Sequence, residues 1–357
     1  MKFKEIFAGS LLFGELPEGC KYCVEGSKLV LFVTGLCKKN CWYCTISKKR
    51  WQNDVVLANE IEVKKDSEIL KEAKLIDARG AGITGGEPLV VFDKTLHYID
   101  LLKSEFGQDF HIHMYTAYPI EKGRMKKLYE HGLDEIRFHF FDENWDVIKN
   151  ALELDWDVGI EIPVLPEYEE RIKKLLLKAD ELGVKFVNLN ELEFSERNET
   201  ILLGKNYEIR DNAPTAVKGS EDVAKRLLEF SEKNLKKTSV HYCSAMTKNA
   251  FQLKNRWKRR ANNIKENYEK VDEDGLLQKC IIEVNEKDIT PLLNNLRKKY
   301  RLSPNMIKMK NNIIETSFKI GLKIAKENSK LKIFFVKQVP IENGWYMEKW
   351  PIESLLE

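Results

Sequence analysis

Short apolar segments alternate with amphipathic helical segments between residues 28 and 194. Strands are predicted at KLVLFVTG (28–35), ARGAGITGGEP (78–88), FHIHMYT (110–116), EIRFHF (135–140), DVGIEIPVL (157–165) and KFVNLNELEF (185–194). Helices are predicted between them, near 66–76, 94–106, 121–130, 145–153 and 168–182. Because a parallel pair of strands needs a crossover connection, this rhythm predicts an α/β fold with a parallel sheet covered by helices. Six such units indicate an open, partial (β/α)6 barrel.

Composition limits the class of protein. A chain of 357 residues, 43% hydrophobic and 32% charged, has room for a large core and more than one domain. No stretch is apolar enough for a membrane span, and Gly14 and Glu15 interrupt the first apolar run before it reaches the length of a signal peptide. We therefore expect a cytoplasmic protein, in which seven cysteines serve as ligands or free thiols rather than as a disulfide framework.

Three of these cysteines lie in one short loop directly after the first predicted strand. The sequence CKKNCWYC (37–44) has the spacing C-x3-C-x2-C, formed by Cys37, Cys41 and Cys44. Three thiolates on one loop can occupy three corners of a cubane iron–sulfur cluster, whereas a structural zinc site normally takes four ligands. A second motif, GGEP (85–88), follows the second strand. In α/β barrels the chemistry gathers at the carboxyl ends of the strands, where both motifs fall.

The two motifs together resemble the radical S-adenosylmethionine superfamily, whose loop has the same cysteine spacing and an aromatic residue, here Tyr43, before the last cysteine. The resemblance implies that the three cysteines bind a [4Fe-4S] cluster and that S-adenosylmethionine chelates its fourth iron. It also implies that the turn of Gly85, Gly86, Glu87 and Pro88 holds the methionine amino group, with Glu87 as the charged acceptor. A one-electron reductant such as ferredoxin or flavodoxin is the implied partner.

More closely, GSKLVLFVTGLC followed by GAGITGGEP resembles an archaeal group described as related to the activating enzyme of pyruvate formate-lyase. Thr116 stands where many family members place a TNG turn near the ribose, with Ala117 and Tyr118 in place of Asn and Gly. Arg137 is a candidate to hold the cofactor carboxylate or the substrate. His139 and Glu191 are the candidate catalytic residues, and Glu193 and Asn190 are expected near Glu191.

Further cysteines lie outside the core signature. GCKYCVEGSK (19–28) contains Cys20 and Cys23 in the C-x2-C-x2-G spacing of a metal knuckle, and SVHYCS (239–244) supplies His241 and Cys243 on one side of an extended segment. Closing the sheet would bring the four together as a Cys3His zinc set or as a second iron–sulfur cluster. Reduced, partly buried cysteines are the alternative interpretation.

A basic segment follows Cys243. Residues 247–260, TKNAFQLKNRWKRR, contain six basic residues and no acidic one. As a helix they would offer phosphate contacts and a stacking surface. The candidate RNA-binding residues are Lys254, Arg256, Trp257, Lys258, Arg259 and Arg260. A solvated helix that buries its aromatic side chains is the alternative.

The predicted organisation has four parts: an N-terminal extension with the CxxC pair (1–27), the partial barrel (28–240), the basic helical segment (241–270) and a small lysine-rich α/β module (271–357) that binds substrate. In the module the strands are predicted at 276–284, 306–310 and 330–340, and the helices at 290–300 and 314–328. The oligomeric state is left open.

Three classes of function compete. The first is a radical enzyme that modifies RNA, as a transferase acting on a tRNA base, with the basic segment gripping the nucleic acid. The second is a radical enzyme that acts on a polypeptide, including activation of a glycyl-radical enzyme. The third is a zinc-dependent RNA-binding protein without chemistry. The basic segment favours the first class, and the intact CKKNCWYC and GGEP motifs disfavour the third.

Overall fold

The computed structural model describes residues 2–141, 144–310 and 312–355, without the side chains of residues 249 and 250. The chain divides into two compact units, residues 1–253 and 254–357. The predicted N-terminal extension is therefore part of the first unit, and the predicted basic segment (241–270) is split between the two. In the described residues no helix has both the length and the apolar character that crossing a membrane requires.

The first unit is built on one eleven-stranded sheet with a two-stranded sheet beside it. The strands of this unit are β1 Lys4–Glu5, β2 Leu11–Phe13, β3 Lys28–Phe32, β4 Leu57–Ala58, β5 Ile61–Glu62, β6 Gly80–Thr84, β7 His111–Thr116, β8 Glu135–Phe138, β9 Asp157–Val164, β10 Phe186–Glu191, β11 Ile209–Arg210, β12 Ala213–Val217 and β13 Ser239–Cys243. The order in the large sheet is β1-β2-β13-β10-β9-β8-β7-β6-β3-β4-β5, and β11 pairs with β12.

The helices of the first unit connect and cover these strands. They are α1 Glu18–Glu25, α2 Asp66–Leu75, α3 Phe92–Phe106, α4 Lys122–Glu130, α5 Trp145–Ala151, α6 Glu169–Leu182, α7 Glu199–Gly204, α8 Ser220–Asn234 and α9 Ala245–Thr247, with a π-helical turn at Lys248–Leu253 and 3₁₀ turns at Pro88–Val91 and Pro166–Tyr168. Seven strands of the described residues run parallel to one another: β3, β6, β7, β8, β9, β10 and β13. The predicted partial barrel is confirmed, with β13 as one parallel strand more than the six that were predicted.

The parallel strands have two different faces, because side chains alternate along a strand. On β7, for example, Ile112 and Met114 belong to the hydrophobic core, while His113 and Tyr115 point to the opposite side. The same alternation on β8, β9, β10 and β13 directs polar side chains inward. We call this set the polar face: Lys28, His113, Tyr115, Arg137, Glu161, Asn188, Asn190, His241 and Cys243.

Helix α1 lies against the polar face. A Cβ atom added to Gly19 would lie 2.5 Å from Nδ1 of His113 and 2.8 Å from Nη2 of Arg137, so only glycine allows this approach. The helix ends at Gly26, which has φ of 72° and whose N–H donates to the carbonyl of Cys23 at 3.2 Å. The glycine of the predicted metal knuckle is therefore a helix C-cap, and its N–H bonds to a carbonyl rather than to a sulfur.

The second unit contains α10 Lys254–Ile264, β14 Lys270–Val271, β15 Leu277–Glu283, α11 Glu286–Tyr300, β16 Ile307–Lys310, β17 Ile313–Thr316, α12 Phe318–Glu327, β18 Lys332–Gln338 and β19 Tyr346–Pro351, and a 3₁₀ turn at Ile352–Leu355. Its strands form an antiparallel sheet in the order β16-β17-β15-β18-β19, with β14 paired to β15. The helix predicted at 314–328 is wrong at its start: residues 313–316 form β17, and Ser317 then caps α12 by accepting a hydrogen bond from the N–H of Ile320.

Candidate active site

A cavity of about 600 Å³ opens in the first unit between the polar face and the loop after β3. Cys37, Cys41 and Cys44, hereafter the loop cysteines, all line it, as does the GGEP turn. Burial raises the pKa of the Cys37 and Cys41 thiols. A cavity of this volume is typical of sites for cofactors and small ligands.

The loop that carries these cysteines is fixed by hydrogen bonds from outside it. The side-chain amide of Gln52 donates to the carbonyl of Cys37 at 2.5 Å, and that of Asn198 donates to the carbonyl of Tyr43 at 3.1 Å. Both ends of the cysteine motif are thus held by side-chain amides. The loop has little regular secondary structure, so these bonds set its course.

The GGEP turn is fastened to the base of the cysteine loop through its backbone. The N–H of Gly86 donates to the carbonyl of Thr34 at 2.7 Å, and that of Glu87 donates to the carbonyl of Leu36 at 2.9 Å. A Cβ atom on Gly86 would lie 2.5 Å from the oxygen of Leu36, and one on Gly85 would lie 2.4 Å from the oxygen of Thr34. Both positions therefore require glycine, and the two motifs form one local structure.

The carboxylate of Glu87 is buried, and it is already part of a hydrogen-bond network. Its Oε1 accepts from the N–H of Leu89 at 3.1 Å and from the hydroxyl of Thr116 at 2.8 Å, and its Oε2 accepts from the N–H of Ala117 at 2.8 Å. Because each oxygen can accept two hydrogen bonds, one position on Oε2 remains. Burial raises the pKa of Glu87. Thr116, predicted near the ribose, lines the cavity while its hydroxyl donates to Glu87. Pro88 begins the 3₁₀ turn and also lines the cavity.

Tyr43 and His139 connect the cysteine loop to the sheet. Nδ1 of His139 lies 2.8 Å from the carbonyl of Glu161, which only accepts, so Nδ1 carries the proton and Nε2 accepts from the Tyr43 hydroxyl at 2.9 Å. His139, a predicted catalytic residue, lines the cavity with both ring nitrogens engaged. This geometry holds the Tyr43 hydroxyl in place, and the catalytic role of His139 stays a prediction.

The centre of the polar face is a buried ion-pair network. Nη1 of Arg137 donates to Oε2 of Glu161 at 2.8 Å, and Nε of Arg137 donates to Glu135. Asn188 and Asn190 each donate to Glu161 at 2.9 Å. Burial acts to raise the pKa of Glu161, but the charge of Arg137 and the amide hydrogen bonds outweigh it and hold the pKa at about 2. Arg137 lines the cavity and pairs with Glu135 and Glu161, while its Nη2 has no hydrogen-bond partner among the described residues, so contact with the cofactor or the substrate stays a prediction.

Glu191, the last residue of β10, and Glu193, two residues after it, also line the cavity. Oε2 of Glu191 accepts from the N–H of Ala245 at 2.7 Å, and Oε1 lies 3.1 Å from Nη2 of Arg210. Burial raises the pKa of Glu191. Glu193 pairs with Lys248. Glu191, the other predicted catalytic residue, thus positions the segment after β13.

The second cysteine set lines the same cavity. Cys20, Cys23 and Cys243, hereafter the inner cysteines, face it together with His241, and all seven cysteines of the chain are free thiols. Burial raises the pKa of Cys243 to about 12 and lowers that of His241 to about 4. Within residues 2–141, 144–310 and 312–355, no three His, Cys, Asp or Glu side chains are already gathered as around one metal ion, and this holds for the loop cysteines as well.

The predicted RNA-binding surface differs from the expectation. All six of its residues are half-buried or buried. Arg260 donates to the carbonyl of Pro340, and Lys254 lies 3.0 Å from Asp274. Lys248, counted among the six basic residues of this segment, lines the cavity of the first unit instead. The basic segment is therefore largely occupied by contacts within the protein.

Sequence reasoning missed several residues of the cavity, above all Glu161, Asn188, Lys28 and Tyr115. Each alternates with apolar residues on a strand that was predicted correctly. A signal was present, because a parallel strand covered on both faces is usually apolar throughout. Polar residues at every second position therefore indicate a polar interior.

Comparisons with known proteins agree with the two motifs. The family model of the Radical SAM superfamily matches residues 31–179. A Methanocaldococcus jannaschii protein, MJ0021, named for a proposed role as a glycyl-radical enzyme activating enzyme, is 41% identical over 289 residues, which cover 77% of this chain and 76% of the relative.

Among solved structures, Streptococcus suis SuiB bound to S-adenosylmethionine matches with a TM-score of 0.42 and 16% identity over 61% of this chain and 50% of SuiB. SuiB bound to its precursor peptide SuiA matches with a TM-score of 0.37 and 16% identity over 48% of this chain and 42% of SuiB. The chain thus spans about half the length of this solved protein.

Proposed function

Because the chain belongs to the radical S-adenosylmethionine superfamily, we propose that it abstracts a hydrogen atom from a polypeptide, as an activase of a glycyl-radical enzyme or as a peptide-modifying enzyme. The observation that carries this proposal is the relative named as a glycyl-radical enzyme activating enzyme, to which the chain is 41% identical over most of both lengths. We place the reaction in the cytoplasm, with a ferredoxin or flavodoxin as electron donor.

The cofactors of this superfamily are a [4Fe-4S] cluster and S-adenosylmethionine, and the residues present fit both. Three free thiols on one loop supply the ligands of a cluster with one open iron, and the cavity beside them has the volume of a ligand site. When bound, the pair supplies a 5′-deoxyadenosyl radical that takes a hydrogen atom from the substrate. The chain supplies binding, orientation and exclusion of water.

Individual residues divide these tasks. The loop cysteines hold the cluster, and the glycines of the GGEP turn bring its backbone against the cysteine loop. One acceptor position of Glu87 Oε2 is not filled by a protein donor and would be available to the amino group of S-adenosylmethionine. Tyr43, held by His139, closes the cavity beside the last loop cysteine.

The RNA hypothesis receives less support. It depended on the basic segment, whose arginine at 260 is buried and whose lysine at 254 is paired with Asp274. Specific phosphate binding needs basic side chains that remain available to the backbone of the nucleic acid. We therefore retain RNA as an outcome of the experiment and not as a second proposal.

The experiment measures release of 5′-deoxyadenosine by the anaerobic, cluster-loaded full chain with reductant and S-adenosylmethionine. Macromolecular fractions of the host cytosol are added after treatment with ribonuclease or with protease. A polypeptide substrate predicts stimulation that survives ribonuclease and is lost after protease. Stimulation that survives protease and disappears with ribonuclease would instead establish RNA as the substrate.

A labelled fraction sharpens the result. If the fraction comes from cells grown on α-deuterated glycine, activation of a glycyl-radical enzyme transfers deuterium into 5′-deoxyadenosine. Transfer with other labelled amino acids, and none from glycine, would identify peptide modification instead. The chain with all three loop cysteines changed to Ala is the baseline for every arm.

A further inference from the structure

The cavity is lined by three thiols that the reaction proposed above does not use, those of the inner cysteines. Cys20 and Cys23 are three residues apart on α1 and therefore share a face of that helix. Cys243 ends β13, the parallel strand at the far side of the polar face. All three line the cavity that the loop cysteines also line. Two sets of three thiols thus line one cavity.

Two of the three inner sulfur atoms have side-chain hydrogen-bond donors beside them. Sγ of Cys20 accepts from Nη1 of Arg137 at 3.5 Å and from Nδ2 of Asn188 at 3.3 Å, and Sγ of Cys243 lies 4.0 Å from Nε2 of Gln252. A buried structural thiol needs no such donors. Donors from a guanidinium and from side-chain amides stabilise a sulfur that carries negative charge, as metal-bound thiolates do.

His241 has the orientation of a metal-ligating histidine. The amide nitrogen of Asn188 already donates to Cys20 and to Glu161, so its oxygen accepts from Nδ1 of His241 at 3.3 Å. This leaves the lone pair of Nε2 available. Histidines that bind metals commonly donate their other ring N–H to an oxygen in this way.

A buried cation completes the site. Lys28 is 8% exposed and lines the cavity. Its ammonium has no carboxylate within ion-pair distance in the described part of the chain, whereas Arg137 and Lys248 each pair with a glutamate. Burying an unpaired charge is costly, so an anionic group held by the neighbouring sulfurs would offset that cost.

We infer that the inner cysteines bind a second [4Fe-4S] cluster, with Nε2 of His241 as its fourth ligand. The thiols line open cavity space, which a cluster of several atoms requires and a single zinc ion, held at about 2.3 Å by its ligands, does not. The inference does not depend on the identity of the substrate. It adds a second redox centre to the cavity that the loop cysteines also line.

The test uses the full chain, reconstituted anaerobically with iron and sulfide, and measures iron, labile sulfide and zinc per chain. The wild type and Cys280→Ala, which removes a buried cysteine outside the cavity, should hold about eight irons. Changing all three loop cysteines to Ala, or all three inner cysteines to Ala, should each leave about four. About four irons in the wild type, or zinc in place of the second cluster, would overturn the inference.

Spectroscopy separates the two centres without relying on turnover. S-adenosylmethionine is added to the reduced protein and the electron paramagnetic resonance signal is recorded. The signal should change for the chain in which only the loop cysteines remain. It should not change for the chain in which only the inner cysteines remain. Circular dichroism shows whether each variant folds. If the chain without the inner cysteines does not fold, the chain without the loop cysteines (the loop variant) decides alone, because its inner cysteines are intact. A folded loop variant without iron refutes the second cluster. If the wild type holds the expected iron but releases no 5′-deoxyadenosine, that result counts against the proposed function only.

Discussion

Replacing Glu161 by Gln should destabilise the first unit by about 3 kcal/mol, because it removes a charge from a buried pair and leaves Arg137 partly uncompensated. The amide also presents donors to two side-chain amides that now donate to the carboxylate at 2.9 Å. Breaking a buried pair typically costs about 3 to 5 kcal/mol. The lower end applies here because Glu135 still pairs with Arg137.

The pKa of Glu161 gives the same magnitude by a separate route. It lies at about 2 in the folded protein, against an ordinary value of 4.5. A depressed pKa means that the ionised form stabilises the fold, and the difference corresponds to about 3 kcal/mol at neutral pH. This stabilisation is fully present above pH 4.5 and is lost as the pH falls towards 2. Between pH 5 and pH 3 the difference between wild type and Glu161→Gln should therefore shrink by about 2 kcal/mol.

The assay is urea unfolding of both chains, followed by circular dichroism across this pH range. Glu153→Gln is the matched control, since it makes the same chemical change at the exposed pair with Lys122 and should cost less than about 1 kcal/mol. Two results would refute the view that charge stabilises the polar face. One is a loss of unfolding free energy for Glu161→Gln no larger than that for Glu153→Gln. The other is a difference between wild type and Glu161→Gln that does not change with pH.

Three further predictions concern the cysteine loop and the GGEP turn. Changing the loop cysteines to Ala should abolish release of 5′-deoxyadenosine, whereas Cys280→Ala should retain it; chromatography of the nucleoside decides. Gly86→Ala should lower both the affinity for S-adenosylmethionine and the stability of the protein, because its Cβ would lie 2.5 Å from a backbone oxygen. Gly123→Ala is the control: its Cβ would meet nothing within 4 Å, so it should stabilise the protein by about 0.5 to 1 kcal/mol in urea unfolding. Tyr43→Phe removes the 2.9 Å hydrogen bond to His139 and should cost about 1 kcal/mol in the same assay; an unchanged midpoint would contradict that role.

Local patterns predicted most of the fold. The six strands and the helices between them follow from periodicities that extend over several residues, so their positions agree closely with the structure. Strand β13 was not counted because its five residues carry His241 and Cys243 at alternate positions and its neighbours lie far away in the sequence. The start of α12 was misplaced because residues 313–316 form a strand that pairs with β16 and with β15, and the helical pattern was extended into it.

The parts of the site formed by one short stretch of sequence could be predicted, and the parts formed by contacts between distant strands could not. The cysteine loop and GGEP are short motifs, and each predicted its own place at a strand end. The partners of Arg137 lie on strands β8 and β9, so the pairing with Glu161 depends on sheet register. The prediction for the basic segment failed for the same reason. Its composition indicated exposed basic side chains, but Arg260 donates to the carbonyl of Pro340, which lies 80 residues away in the sequence.

The polar face also explains why α1 belongs to the first unit. Arg137 and Glu161 would be left in contact with solvent at one end if nothing covered them, and their pairing would then contribute little. Helix α1 covers them: Gly19 allows the helix to reach His113 and Arg137, and Cys20 directs its sulfur to the same guanidinium. The burial that gives the ion pair its strength and the position of the N-terminal cysteines therefore have one cause. A change that displaced α1 would weaken the pair and remove two of the inner thiols from the cavity together.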